Sequence, residues 1–298
     1  MIFCKESRNM EKIKENRGYS CLAVALVYAL AISVGILIYR VLPLEFYWSL
    51  LMADICATTV VYLFSLALKN ASVYDPYWSV APIVMVVYSA VTEGLNLYGL
   101  FLLLIICAWG VRLTLNWAYT FKNLEWQDWR YTMLKEKTGR AYPLVSYLGI
   151  HMFPTLVVYT CMLPVCFAMK CGAVLDTPTD IFLILAIGAV VLQGVADLQM
   201  HRYRRNRQTP FIRSGLWKHS RHPNYLGEIL LWWCIGISFV FSMPEHWYLI
   251  FGALVNNIMF LAASIPMADK RQGKKEGFSE YKKETNILLP VRLKRKGK

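Results

Sequence analysis

The feature that most constrains this chain is a series of long apolar runs, each carrying at most one charge, spread from one end to the other. An α-helix crosses the hydrocarbon core of a bilayer with roughly 17–25 mostly apolar residues. Eight segments approach or meet that length: Tyr19–Tyr39, Phe46–Leu68 (with Asp54 inside it), Pro76–Thr92, Gly94–Val111 (continuing past Arg112 towards Ala118), Ala141–Met169, Ile181–Ala196, Ile229–Pro244 and His246–Ala268. The third and seventh are short. Of the 298 residues, 57% are hydrophobic and 17% charged, against about 45–50% and about 25% in soluble domains. Both departures exclude a water-soluble globular enzyme, and an aromatic content of 14% excludes a disordered chain. No internal period of a repeat protein stands out. The expected fold is an all-α polytopic membrane protein, a single integral membrane domain over residues 1–298, with about eight transmembrane helices, or seven if one short run fails to cross.

The charges between the runs give an independent check. The net charge of +13 is unevenly placed. Five basic residues lie in the N-terminal segment 1–18 (Lys5, Arg8, Lys12, Lys14, Arg17), five in the Tyr119–Arg140 loop, seven in the Met200–Asn224 loop and eleven in the tail 269–298. Lys and Arg stay on the cytoplasmic side during insertion. Eight helices with the N-terminus inside place all four basic segments, and both termini, in the cytoplasm; seven would strand one basic segment outside. The charge excess is therefore read as orientation in a lipid bilayer, and no nucleic-acid partner is expected. The basic start followed by an apolar run imitates a secretory signal. That run is too long for one and no Ala-x-Ala site follows, so a retained first span is expected. The eight cysteines are scattered without a Cys-x-x-Cys pair and read as small apolar fillers.

Ionisable residues inside or beside spans are costly and therefore informative. Asp54 lies about 12 Å from the outer end of its helix at 1.5 Å per residue. Asp75 begins the third helix, Arg112 is near the inner end of the fourth, Asp197 near the inner end of the sixth, and Glu228 opens the seventh. The last four fall within about two turns of the cytoplasmic face and suggest a polar cavity open to the cytosol. Anchoring of helix ends among headgroups is the competing reading.

The densest polar stretch runs from Asp197 to Trp233. His201, Arg202, Arg204, Arg205 and Arg207 follow Asp197, then Gly215-Leu216-Trp217, then Arg221-His222-Pro223-Asn224-Tyr225-Leu226-Gly227-Glu228. Seven basic residues with no acid among them suit an anion, and Arg suits phosphate best. Attraction to anionic headgroups explains the Arg run as well, but gives no reason for Asn224 and Glu228. Pro223 disfavours helix at His222 and can start the next one. Asn224, Tyr225 and Glu228 then occupy its first turns, with Asn224 and Glu228 on one face. An amide beside a carboxylate suits adenine, ribose or a nicotinamide amide. The glycines contain no Gly-x-Gly and no P-loop. No serine-nucleophile motif appears. His219 and His222 are three apart without a matching third ligand, so no metal is expected.

These residues carry a resemblance. Gly215-Leu216-Trp217, Arg221 through Glu228, Tyr281 and Thr285-Asn286-Ile287-Leu288-Leu289-Pro290 resemble the steroid 5-alpha-reductase superfamily, in particular its largely uncharacterised bacterial branch. The likeness is strongest over about residues 180–290, the expected cofactor-binding region. It is weaker over 70–145, where Asp75-Pro76-Tyr77-Trp78, Trp109-Gly110-Val111-Arg112-Leu113 and Asp128-Trp129-Arg130-Tyr131 resemble that branch. It implies NADPH-dependent reduction of a carbon–carbon double bond conjugated to a ketone, in a steroid or another hydrophobic small molecule. It further implies cofactor contacts from Asp197, Arg204, Arg205, Arg221, His222, Asn224, Tyr225 and Glu228, with Arg207 nearby.

In animal-type members a glutamate near the second helix and a tyrosine two helices on face the substrate ketone. The comparable places here look like Asp75, beside Tyr74, and Trp109. Tyr74 or a protonated Asp75 then stands as the acid; the alternative is that Arg112, one turn from Trp109, pairs with Asp75 and lowers its pKa instead. The Arg-His-Pro-x-Tyr motif also resembles S-adenosylmethionine-dependent membrane methyltransferases acting on prenylated cysteine or phospholipid headgroups. A non-catalytic lipid-binding bundle is the alternative outside enzymes. The branch implies a bacterial inner membrane; the endoplasmic reticulum is the eukaryotic counterpart.

Overall fold

The computed structural model describes residues 14–290. The basic residues Lys5, Arg8 and Lys12, and those from Arg292 to Lys298, lie outside the described residues. Nearly everything described is helical, with no β-strand and a single isolated bridge between Ser220 and Asn286. The long helices are α1 (Arg17–Val41), α2 (Phe46–Ala67), α3 (Tyr77–Glu93) and α4 (Leu97–Thr120), then α5 (Trp129–Thr138) and α6 (Phe153–Lys170), then α7 (Thr177–Arg205), α8 (Pro223–Ser242) and α9 (Phe251–Met259). Two shorter helices close the chain, α10 (Ile265–Gln272) and α11 (Phe278–Glu284).

Local sequence explains where they start and stop. Asn16 caps α1 by accepting from the amides of Gly18 and Tyr19. Asp176 and Thr179 form a reciprocal capping box on α7, and Pro178 sits in its first turn. α7 does not stop where the apolar run ends at Ala196 but continues to Arg205, because Gln, Met and Arg are good helix formers even where the bilayer no longer demands helix. The run Ala141–Met169 is a helix with a fault in it: a short α-turn at Tyr142–Val145, a π-helical segment at Ser146–Met152, then α6. Pro154 has no amide to donate, and such interruptions are relieved by widened turns.

Seven helical segments among the described residues are long and apolar enough to cross a membrane: Arg17–Val41, Phe46–Ala67, Leu97–Thr120, Trp129–Lys170, Thr177–Arg205, Pro223–Ser242 and Pro244–Gln272. The third expected run, Pro76–Thr92, is the one that falls short. It forms α3, a helix of 17 residues, at the lower edge of the spanning range. The exposure pattern is that of a protein solvated by lipid. Leu26 and Ile184 are 62% and 64% exposed, whereas Ser20, Thr58, His151 and Gln193 are fully buried. Water would favour the reverse.

Within the single membrane domain expected from the sequence, residues group into two compact units. One comprises the chain to Tyr88 together with Trp109–Tyr159, and the other Ser89–Ala108 together with the chain from Thr160. In the second unit α7 and α8 are the most extensively packed pair. Gly227 allows their approach: a Cβ there would lie 2.5 Å from Gln193 Cγ and 2.8 Å from the Ala189 carbonyl oxygen.

Candidate functional site

In the first unit the 3₁₀ turn Ala71–Tyr74 carries Tyr74 and Asp75 into the bundle. Asn70 caps it, accepting from the Ser72 amide and donating to the carbonyls of Leu124 (2.6 Å) and Trp126 (3.0 Å). The turn is thereby tied to the loop before α5. Although adjacent, Tyr74 and Asp75 face different partners. The Tyr74 hydroxyl is 2.8 Å from Thr155 Oγ1, and its ring packs on Tyr77 and His151. Asp75 accepts a 2.5 Å hydrogen bond from the Tyr131 hydroxyl and has Arg130 Nη2 at 3.9 Å. The cation placed beside Asp75 is thus Arg130, where the alternative had Arg112. Arg130 is itself held by Asp128 at 2.8 Å. Burial pushes the Asp75 carboxyl up to about 6, with Arg130 and Tyr131 opposing the rise. Burial likewise raises the Tyr74 phenol.

The more suggestive pair is one the motif comparison passed over. Asp54, 5% exposed in the middle of α2, lies near the Tyr77 hydroxyl at the start of α3. Thr58 is also close to Tyr77, and the Thr58 hydroxyl is 3.0 Å from Thr155 Oγ1, which is 2.8 Å from the Tyr74 hydroxyl. Among the described residues Asp54 has no cationic partner within ion-pair distance. Asp54 was legible as a charge out of place; its partner, on another helix, was not.

In the second unit the expected cofactor residues lie on α7, on α8 and on the segment between them. α8 begins at Pro223, so Asn224, Tyr225 and Glu228 occupy its first turns as the proline implied. Glu228 is buried and accepts from Trp232 Nε1 at 2.9 Å. Tyr225 stacks flat on His222, with ring centroids 5.2 Å apart, and tilts against Phe260. The Asn224 Oδ1 atom is buried with no hydrogen-bond partner in the protein, the mark of an acceptor built for something else.

Arg221 and His222 are turned to a different task. Arg221 Nη2 donates to Asp269 Oδ2 at 2.9 Å and Nη1 to the Thr285 carbonyl at 2.6 Å, while His222 Nε2 is 3.0 Å from Asp269 Oδ1. Their amides donate to the carbonyls of Asn286 and Ile287. The Tyr281 hydroxyl donates to the Trp217 carbonyl; burial pushes that phenol up to about 12. Trp217 Nε1 in turn donates to the Ala196 carbonyl on α7. Gly215, at φ +60°, brings the Leu216 amide onto Gln199 Oε1 at 2.9 Å; a Cβ there would collide with the Gln199 amide. The Arg221–His222 motif is therefore a lock on the C-terminal segment.

The cations are assembled from distant segments. Lys275 is held below the ordinary lysine range first by burial and then by Arg207, Arg271 and Arg204 around it. Arg204 also lies near Asp197, as does His201. Arg205 is exposed on the last turn of α7. Arg271 and Lys275 were missed from the sequence because they read only as part of a basic tail. Such a cluster suits a multiply charged phosphate group, and with the unpartnered Asn224 acceptor it is compatible with a dinucleotide. Among the described residues no three His, Cys, Asp or Glu side chains are gathered as metal ligands would be.

The fold and its lipid-facing surface define an all-helical polytopic membrane protein. More narrowly, the chain belongs to the family described as "Protein of unknown function (DUF1295)", whose profile matches residues 61–285. It is similar to an uncharacterised protein of Schizosaccharomyces pombe, 27% identical over 195 residues. That match covers 55% of this chain and 56% of the yeast protein, so the chain spans little more than half of that relative. No solved structure matches.

Proposed function

We propose that the protein is an NADPH-dependent reductase of the steroid 5-alpha-reductase type, acting on the conjugated double bond of a hydrophobic enone. The observation that carries the reading is the cation cluster of Arg204, Arg207, Arg271 and Lys275. S-adenosylmethionine has no phosphate to engage it, which favours the reductase over the methyltransferase reading. Within the second unit these residues would hold phosphate, and Asn224 Oδ1 would accept from the carboxamide or adenine amino group. Glu228, fixed by Trp232, would position the groups around it. When bound, NADPH supplies the hydride that the enone accepts at its β carbon.

Acid function is assigned to the Tyr77–Asp54 couple in the first unit. The Tyr77 hydroxyl, with the Asp54 carboxyl beside it, is a proton donor of the kind that polarises a carbonyl oxygen. Tyr74 is joined by hydrogen bonds to Thr155 and through it to Thr58, beside this couple. Asp75, engaged by Tyr131 and Arg130, is assigned to holding the turn. Both termini are assigned to the cytoplasmic side, with α3 crossing as an eighth span, and the membrane to the bacterial inner membrane.

The test is NADPH binding and consumption by the purified protein across enones ranging from steroid 4-en-3-ones to small unsaturated lipids. NADPH should bind far more tightly than NADH, and Asn224→Ala should abolish that binding. Tyr77→Phe and Asp54→Asn should keep binding and lose turnover by about 10²–10⁴-fold. Tight S-adenosylmethionine binding without nicotinamide binding would sink the reading.

A further inference from the structure

We propose that a cleft in the first unit, at the C-terminal end of α2, binds the phosphate headgroup of an anionic lipid. Its walls include Ser65, Lys69, Gln127, Lys135, Tyr142 and Ser146, and no acid lines it. The inner wall is fixed by buried hydrogen bonds. Ser65 donates to the Val61 carbonyl and is 3.1 Å from His151 Nε2, while His151 Nδ1 meets the Ser146 carbonyl at 2.9 Å. The two ammonium groups supply charge. The Tyr142 hydroxyl faces Ser146 without forming a hydrogen bond of normal geometry; a phosphate oxygen can accept from it.

Lys69 is the second observation. It is the one non-glycine residue with positive φ (+54°) among the described residues. The Leu68 amide donates to the Phe64 carbonyl and the Asn70 amide to the Ser65 carbonyl, a left-handed helix ending at which glycine is the residue of low cost. Lysine here accepts a steric penalty and places an ammonium on the cleft wall, which is the pattern of strain kept for a ligand.

Phosphate chemistry is common to lipids and to free anions, and position favours the lipid. Lys69 follows directly on the Phe46–Ala67 span, where headgroups lie, and Leu66 at the rim is 40% exposed to meet glycerol and acyl carbons. The site is independent of the reduction chemistry and of the cation cluster in the second unit.

The experiment compares the full chain in detergent with dioctanoyl phosphatidylglycerol, dioctanoyl phosphatidylcholine and inorganic phosphate, following bound lipid by native mass spectrometry and thermal midpoint. Phosphatidylglycerol should bind saturably. Lys69→Gly should weaken it about fivefold, and adding Lys135→Gln should weaken it about fivefold again, from the typical contribution of one lysine near an anionic membrane surface. Lys137→Gln, outside the cleft, should leave binding unchanged. Because glycine suits φ +54°, Lys69→Gly should fold with a lipid-free midpoint no lower than wild type, which separates lost binding from lost structure. Unchanged affinity in the double variant overturns the proposal. So does equal binding of phosphatidylcholine, or binding of inorganic phosphate at the lipid's own concentrations.

Discussion

Replacing Arg221 by methionine keeps an unbranched apolar stem and removes what the side chain donates. Arg221 gives hydrogen bonds to the carbonyls of Thr285 (2.6 Å) and Lys282 (3.3 Å) and to Asp269 (2.9 Å), with its side chain only 4% exposed. Asp269 would be left with His222 and, at 3.8 Å, Lys282, and the Thr285 and Lys282 carbonyls would lose their side-chain donor. Breaking a buried, hydrogen-bonded pair from one side costs about 3–5 kcal/mol. For a chain of this size that is about 6–10 °C in thermal midpoint. Asp269→Asn should cost less, since the Thr285 contact survives. Because both changes break the same contact, the double variant should fall short of the sum of the single losses by about 1–3 kcal/mol. The assay is thermal unfolding in detergent, paired with trypsin, which should cut sooner at Lys282 and Lys283 once the C-terminal segment is released. Strict additivity with unchanged proteolysis would show that Arg221 does not lock this segment. Loss of NADPH binding in Arg221→Met but not in Asp269→Asn, without loss of stability, would return Arg221 to the cofactor.

Other outcomes follow from the same geometry. Asp75 is raised to about 6 in the folded protein, so its stabilising contribution is complete below the ordinary carboxyl pKa of about 4 and is lost as pH rises through about 6. The midpoint difference between wild type and Asp75→Asn should therefore grow as pH falls from about 7 to about 4; a difference that ignores pH refutes the burial argument. Gly227→Ala should force α7 and α8 apart, since its Cβ meets Gln193 Cγ at 2.5 Å; a loss of about 1–3 kcal/mol is expected, and an unchanged midpoint would contradict the close approach. If α3 crosses the membrane, cysteines introduced at Lys69 and Glu93 should label from opposite sides; labelling from one side leaves seven spans and divides the termini between compartments.

The spans were legible because the bilayer imposes length and polarity over many consecutive residues, and such signals accumulate within one segment. The start of α8 was legible for a local reason, the fixed φ and missing amide of Pro223. The fault in Ala141–Met169 was not, because a run of apolar residues looks the same whether its turns are α or π. Side-chain pairing was least legible. Asp269 meets Arg221 across 48 residues of sequence, and Asp54 finds Tyr77 on a different helix. In both cases one partner was conspicuous and the other ordinary. Asp75 illustrates the converse: its depth and charge drew notice, and Tyr131 and Arg130, which engage it, lay in a loop read for its basic count and its family likeness, with nothing in either to pair them with Asp75.

The Ser220–Asn286 bridge and the Arg221–Thr285 bond join points separated by the last helices of the chain. A ribosome feeds residues to the membrane in order, so α7 and α8 are inserted while the partners that fix the segment between them are still unmade. During that interval Arg221 and His222 are without the acceptors that lock them, Asp269 and the carbonyls of residues 285–287. The segment can dock only once the chain has been completed to residue 286, and a copy that stops short leaves it without these partners.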